Sequence, residues 1–294
     1  MSFSLTPYIR IARPRHWIKN GFVIAPAFFA GHIQNLSILP KVIGAFFIFC
    51  FLSSAVYIFN DLRDCEDDKL HAKKKTRPLA SGKISKTSAA ILMAVFLFAA
   101  AAVTFWLEPP VSFISIALLY VFINISYSMG LKHISVLELF LLGSGYMLRL
   151  MAGAEFIHEP LTGWIIAATA LVALLMAAGK RRGDLLQEND VLKKRKSLDG
   201  YTLAFLDQIM SMLAAATVVT YLLFCISDYA IARFGAYTMW SAIFVLYGIM
   251  RYMQIVMVEG GGDSPTTLIY TDKPMIITIF LFGLFFALNL YVLR

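Results

Sequence analysis

Between Lys41 and Asp61 the chain reads VIGAFFIFCFLSSAVYIFN, with no charged side chain. A stretch this long and this apolar matches the roughly 20 residues that one helix needs to cross the hydrocarbon of a bilayer. Nine such runs can be read, at 17–33, 41–59, 87–106, 111–129, 134–156, 162–180, 203–226, 235–257 and 274–293. The first is the weakest, because Lys19, Asn20 and two prolines interrupt its entry. In the bilayer core there is no water to satisfy a backbone, so each run must close its own hydrogen bonds as a helix. None alternates polar and apolar residues at every second position, which argues against a transmembrane barrel. The expected fold is an all-α membrane protein with nine transmembrane helices, a single domain over 1–294.

Composition agrees. Hydrophobic residues make up 59% of the chain and charged residues 15%, with a mean hydropathy of +0.73. Soluble domains carry about 25% charged residues. The net charge of +8 would suit nucleic acid if it were spread or striped, but it is sorted by loop. Of the 26 Lys and Arg, all but four fall in the N-terminal segment or in and beside the loops after the even-numbered runs. That asymmetry is the positive-inside rule. It predicts a cytoplasmic N-terminus and no nucleic-acid partner. The first 16 residues hold Arg10, Arg13, Arg15 and two prolines, and no apolar core ahead of a cleavage site, so no cleavable signal peptide is expected. Cys50, Cys65 and Cys225 are spaced for neither zinc nor a disulfide framework and read as small buried residues.

The densest charge lies at the mouth of the second run, in NDLRDCEDDKLHAKKKTRPLASGK, Asn60–Lys83. Asn60, Asp61, Asp64 and Asp68 follow N-D-x-x-D-x-x-x-D. A helix continuing past the membrane edge would place i, i+3 and i+7 on one face. Carboxylates that close together resist ionising unless a cation neutralises them. Oxygen-only donors with open positions suit Mg²⁺, which keeps waters and bridges to substrate phosphates. Behind them come His71, Lys74, Lys75 and Arg77, the fixed cations a polyphosphate would need. Asp67 and Lys73 read as solvated. Pro78 should stop the helix at Arg77.

A second charged stretch follows the sixth run: Lys180, Arg181, Arg182 and Asp184, with Glu188 four residues on. Even-numbered runs end on the same face, so the two charged loops should meet over one central cavity open to the cytoplasm. Arg182 reads equally well as a membrane-edge anchor. Tyr127 and Lys132 sit at the inward end of the fourth run. Glu138 and Arg149 are ionisable residues inside the fifth, where such groups must face the bundle interior or a wet cavity. Three turns apart, they cannot pair; Glu138 is expected to reach the cavity and Arg149 to find a partner on another helix. Arg251 is a phosphate candidate at the inward end of the eighth run. The Gly260–Gly262 turn with Asp263 reads as loop punctuation. No His or Cys pair suggests nucleophilic chemistry.

At this level of detail the chain resembles the UbiA-type superfamily of intramembrane prenyltransferases, nine-helix proteins with Asp-rich motifs after the second and sixth helices. Within it, the resemblance is closest to the decaprenyl-phosphate phosphoribosyltransferase branch. It rests on RPRHWIKN (13–20), NDLRDCEDDKLHAKKKTRPLASG (60–82), NISYSMGLKHISVLEL (124–139), LRLMAGA (148–154), GKRRGDL (179–185), KSLDGYT (196–202) and RYM with the glycines that follow. It departs from that branch at Glu138, where Asp is usual. The resemblance implies a Mg²⁺-dependent transfer of 5-phosphoribose from 5-phosphoribosyl diphosphate to a polyprenyl monophosphate, releasing diphosphate, for an arabinose or ribose donor of the cell envelope. It implies that Asn60, Asp61, Asp64 and Asp68 hold the metal, with Asp184 completing the catalytic set. Substrate binding would fall to Lys19, Asn60, His71, Lys74, Lys75, Arg77, Tyr127, Lys132, Glu138, Lys180, Arg181 and Arg251, with the phosphates on some of Lys19, Lys74, Lys75, Arg77, Lys180 and Arg181. A homo-oligomer is compatible with all of this.

Two other classes compete. An aromatic prenyltransferase of the same superfamily would use a polyprenyl diphosphate donor; the three cations ahead of Asp184 speak for a ligand richer in phosphate. A transporter would place its ionisable site near the midplane, whereas these acidic clusters lie at the membrane edge.

Overall fold

The computed structural model of the protein describes residues 5–70, 74–187, 196–260, 267–268 and 271–292. Among them all regular structure is helical. The first expected run, 17–33, is not one long helix. After α1 (Thr6–Ala12) it is broken into a 3-10 segment (Pro14–Val23) and α2 (Ala25–Phe29). A proline stands in the first turn of each piece. Proline is tolerated there and not in a helix interior, so the chain restarts instead of continuing. Arg13, at the first junction, is left-handed with φ 52°.

The later runs follow the sequence more closely. α3 spans Leu39–Arg63, and after a break at Asp64 comes α4 (Cys65–Leu70). α5 (Lys86–Leu107), α6 (Val111–Met129) and α7 (Leu137–Phe156) follow. Then come α8 (Gly163–Gln187), α9 (Leu203–Cys225), the short α10 (Asp228–Phe234), α11 (Ala242–Met257) entered through a 3-10 turn, and α12 (Lys273–Tyr291). Eight helices among the described residues are long and apolar enough to cross a membrane. Side-chain caps set several starts: the Ser85 hydroxyl accepts from the Ser88 N–H at 3.0 Å, Thr202 from Phe205 at 3.1 Å and Asp272 from Met275 at 2.9 Å. Each satisfies an orphan donor of a first turn.

One boundary differs in a way that matters. The sixth run was expected to end at 180 and hand over to a loop, but α8 continues to Gln187. Lys180, Arg181, Arg182 and Asp184 are therefore helical. An i, i+3 ion pair between Arg181 and Asp184 and the good helix formers Leu185 and Leu186 carry the helix past its apolar stretch.

The chain forms two compact units. The first uses α1–α6 and both ends of α7. Its core stacks Phe49 edge-on to Phe113 (6.0 Å) and Phe113 to Phe156 (5.1 Å), with Ala45, Ile48 and Ala152 around them. Gly153 lets α7 touch backbone: a Cβ there would stand 2.1 Å from the Val23 carbonyl oxygen. Small residues at close helix crossings are the usual basis of packing in lipid, where hydrophobic driving force is absent. A second cluster joins Ile11, Ile58, Cys65, Leu79, Ile84 and Ala89. It fastens the loop after Pro78 to the end of α3. Gly82, at φ +72°, makes the turn that returns Ile84 to donate to the Pro78 carbonyl at 3.2 Å. All three cysteines are buried and unbridged, as their spacing suggested.

The second unit is built from α8–α12 and the middle of α7, Leu142–Met147. Leu175, Ala178, Met210, Leu213, Tyr252 and Val256 form its core. Gly179 lies directly under the Tyr252 hydroxyl, which a Cβ would meet at 2.1 Å.

Candidate active site

The polar centre of the first unit is built at the end of α3. Asp61 and Asp68 are buried, 2% and 3% exposed. Leaving a carboxylate there without a cation would cost several kcal/mol, and two arginines answer it. Arg13 Nη2 donates to Asp61 Oδ1 at 2.5 Å, and Arg77 Nη1 donates to the same oxygen at 3.1 Å and to Asp68 Oδ2 at 2.6 Å. The guanidinium of Arg13 also lies 4.9 Å above the Tyr57 ring. Neighbouring positions have their own partners. Lys132 Nζ donates to Asp64 Oδ1, and the Ser128 hydroxyl donates to the Asn60 side-chain oxygen at 3.0 Å.

Local backbone explains the arrangement. The N–H of Asp64 donates to the Asn60 carbonyl at 2.9 Å and that of Asp68 to the Asp64 carbonyl at 2.8 Å, so helical bonding persists across the break. Regular helical dihedrals nevertheless lapse at Asp64, whose φ and ψ are −91° and 5°. Asp61 and Asp68 share Arg77, while Asp64 takes Lys132. Lys132 is delivered by the 3-10 turn Leu131–His133 after Gly130. Glu66, exposed on α4, bonds Lys69 at 2.8 Å and Lys86 at 3.1 Å; these contacts, Lys69 first, hold its carboxyl below the usual carboxylate range. Asp67 and Lys75 are exposed, and Lys74 and Tyr127 half-buried. His71 and Lys73 lie outside the described residues.

Does this centre fit a divalent cation? Among the described residues no three His, Cys, Asp or Glu side chains stand close enough to hold a metal by themselves. The donors are nonetheless hard oxygens only. Two of them, on Asp61 and Asp68, aim at one point, which Arg77 Nη1 fills. Mg²⁺ is commonly held by one or two carboxylates, with water and ligand phosphate completing its shell. The chemistry of the donor set therefore fits such an ion, with two carboxylates in place of the three that the spacing suggested.

Deeper along the first unit, Arg149 is 4% exposed. Its Nε donates to Asn20 Oδ1 at 2.6 Å and its Nη2 to the Tyr120 hydroxyl at 2.8 Å, with the guanidinium 4.6 Å over the Tyr120 ring. Asn20, fully buried, donates in turn to Cys50 Sγ at 3.2 Å and Ser53 Oγ at 3.3 Å. Arg149 thus has the interhelical partner expected of it. Lys19, next to Asn20, lies with Arg13 and Arg149 near Tyr57. Glu138 is fully buried in the first turn of α7.

In the second unit, fully buried Arg181 pairs with Asp184. Arg182 acts as a pin, donating to Asp207 Oδ1 at 2.6 Å on α9 and to the Val256 carbonyl at 2.8 Å on α11. Lys180 is half-buried. Arg251 donates to Asp272 at 2.6 Å, Glu259 at 2.6 Å and Gln254 at 2.8 Å, so its guanidinium is engaged within the chain. Its hydrogen bond holds the Asp272 carboxyl below the usual range. Glu188 and Gly261–Asp263 lie outside the described residues.

Sequence reasoning did not single out Arg13, Ser128 or Asp207 as site residues. Arg13 and Ser128 carried a signal, lying in RPRHWIKN and NISYSMGLKHISVLEL; Asp207 carried none, because its partner Arg182 lies 25 residues away.

The UbiA prenyltransferase family matches residues 21–267. A Corynebacterium glutamicum protein named decaprenyl-phosphate phosphoribosyltransferase is 35% identical over 90% of this chain and 81% of its own length. The protein of the same name from Mycobacterium tuberculosis is 33% identical over 90% and 88%. Among solved structures, a UbiA homolog from Archaeoglobus fulgidus bound to GPP and Mg²⁺ superposes with a TM-score of 0.74 at 19% identity, over 97% of this chain and all of that one.

Proposed function

We propose that this chain, which belongs to the UbiA prenyltransferase family and is a multi-pass membrane transferase, moves 5-phosphoribose from 5-phosphoribosyl diphosphate to a polyprenyl monophosphate of decaprenyl type, releasing diphosphate. The observation that carries this reading is the set of three fixed cations gathered on the acids: Arg13 and Arg77 on Asp61 and Asp68, and Lys132 on Asp64. A donor with a 5-phosphate beside its diphosphate, and an acceptor with a further phosphate, need fixed positive charge that a prenyl diphosphate alone would not. The names of the 33–35% identical relatives support the same choice.

In this reading Asp61 and Asp68 would hold the Mg²⁺ that carries the diphosphate, and Asp64, next to Asn60 in the motif, would position Lys132 for phosphate. When bound, Mg²⁺ would offset the charge that gathers on the departing diphosphate. Arg77, Arg13 and Lys132 are placed to donate to phosphate oxygens, which is electrostatic stabilisation of the leaving diphosphate as the C1–O bond breaks. The ribosyl carbon gains oxocarbenium character, and a lipid phosphate oxygen, already anionic, attacks it without a strong general base. We assign Lys180 and Arg181, with Asp184 paired to Arg181, to the remaining phosphate. The broken segment 14–29 supplies the ninth helix of the family's plan, and the acidic end of α3 faces the cytoplasm of a bacterial inner membrane.

Purified protein given radiolabelled 5-phosphoribosyl diphosphate and a polyprenyl phosphate should yield lipid-extractable label only with Mg²⁺. Label that stays aqueous, together with turnover of a polyprenyl diphosphate on an aromatic acceptor, would assign the protein to the aromatic prenyltransferases instead.

A further inference from the structure

Arg77 Nη1 sits between Asp61 Oδ1 (3.1 Å) and Asp68 Oδ2 (2.6 Å). Resting on the metal-dependent reading above, we propose that Arg77 is a placeholder for the divalent cation, and that the enzyme exchanges one for the other only when diphosphate arrives. Arg77 then moves from the carboxylates to the incoming phosphate.

Three observations support the exchange. The two carboxylates are almost fully buried, so neither tolerates loss of its cation without a replacement. The Arg77 side chain is itself 27% exposed, so its charged end has an open route out. Its backbone does not need to follow, because Leu79 and Ile84 are buried in the cluster that ties this loop to α3. A guanidinium released there keeps its planar fork, which suits phosphate oxygens better than a point charge does. Arg13 stays on Asp61 Oδ1 at 2.5 Å, so Asp61 is never left bare, while Asp68, paired with Arg77, passes directly from the guanidinium to the metal. Arg77 is thus a positioning residue for the metal and a binding residue for phosphate. The device would keep metal affinity low until a ligand is present.

The test reads binding and not turnover. Detergent-purified protein is titrated with Mn²⁺, free ion being followed by electron paramagnetic resonance, with and without inorganic diphosphate. An arginine docked for about nine-tenths of the time weakens apparent metal binding about tenfold. Arg77→Gln should therefore bind Mn²⁺ alone about tenfold more tightly than wild type, and gain less from diphosphate. Arg77→Lys, which keeps the charge, should stay near wild type for the metal alone, and both variants should elute as wild type on size exclusion. If diphosphate tightens Mn²⁺ binding to wild type but Arg77→Gln binds the metal alone no better, the exchange is wrong and the metal reading stands. If neither protein binds Mn²⁺ with or without diphosphate, both are wrong.

Discussion

Arg149 on α7 and Asn20 in the 3-10 segment are bonded at 2.6 Å across 129 residues of chain. Asn20 passes that connection on to Cys50 and Ser53 of α3. One amide therefore fixes the segment that carries Arg13 and Lys19 against two membrane helices.

Arg149→Met should cost about 2–3 kcal/mol, the range for a buried hydrogen bond to a charged group. Asn20→Leu should cost a similar amount, and the double variant little more than either, because both break the same connection. Reversible unfolding in mixed micelles measures all three. Fully additive losses would show that the two side chains are not coupled.

Asp68→Asn removes half of the Arg77 clamp without changing shape. Turnover in the two-substrate assay should fall about 100-fold or more, the scale of losing one electrostatic element of a preorganised site. Asp64→Asn should likewise abolish the Mg²⁺-dependent part. Activity within threefold of wild type in either variant would remove that carboxylate from the site. Asp67→Asn, at an exposed position, is the control and should change little.

Two glycines of α7 should respond differently. At Gly153 an added Cβ would overlap the Val23 carbonyl at 2.1 Å, whereas at Gly143 it would meet Leu174 at an ordinary 3.6 Å. Gly153→Ala should lower thermal stability by about 1–3 kcal/mol. Gly143→Ala should be neutral or slightly stabilising, since alanine is the better helix former.

Val136, with φ 66° and ψ −53°, closes a γ-turn in which the Leu137 N–H donates to the Ser135 carbonyl at 2.8 Å. A β-branched residue there is strained. Val136→Gly should relieve about 1 kcal/mol net, after the entropy glycine adds to the unfolded chain. The melting temperature should rise. A fall would mean that the Val136 side chain contributes more than the strain costs.

The Arg251–Asp272 pair sets an acid limit. The folded carboxyl of Asp272 titrates below its unfolded value of about 4. Its contribution is therefore complete above that value and is lost as pH falls through the lower, folded one. Melting temperature should drop more steeply below about pH 4 in wild type than in Asp272→Asn. Parallel curves would show that the pair adds nothing to stability.

Much of the fold could be read from the chain because bilayer crossing imposes a one-dimensional rule. Uncharged runs of sufficient length became helices, α6 within the residues expected, and the first run, marked as weak at its proline-bearing entry, broke into a 3-10 segment and a short helix. The reading failed at 180, because local ion pairing and helix propensity carried α8 beyond its apolar stretch, and hydropathy does not register either.

Residue types and spacing alone determined that this chain is a helical membrane protein and that its acids gather at the end of the second run. Only the tertiary structure decided who neutralises whom, Arg13 for Asp61, Arg77 for Asp61 and Asp68 together and Lys132 for Asp64, and that Arg149 donates to the neutral amide of Asn20. The physical reason is that an ion pair depends on distance in space and on desolvation of both partners. Neither is encoded at any single position, and in a string of letters every lysine and arginine carries the same charge.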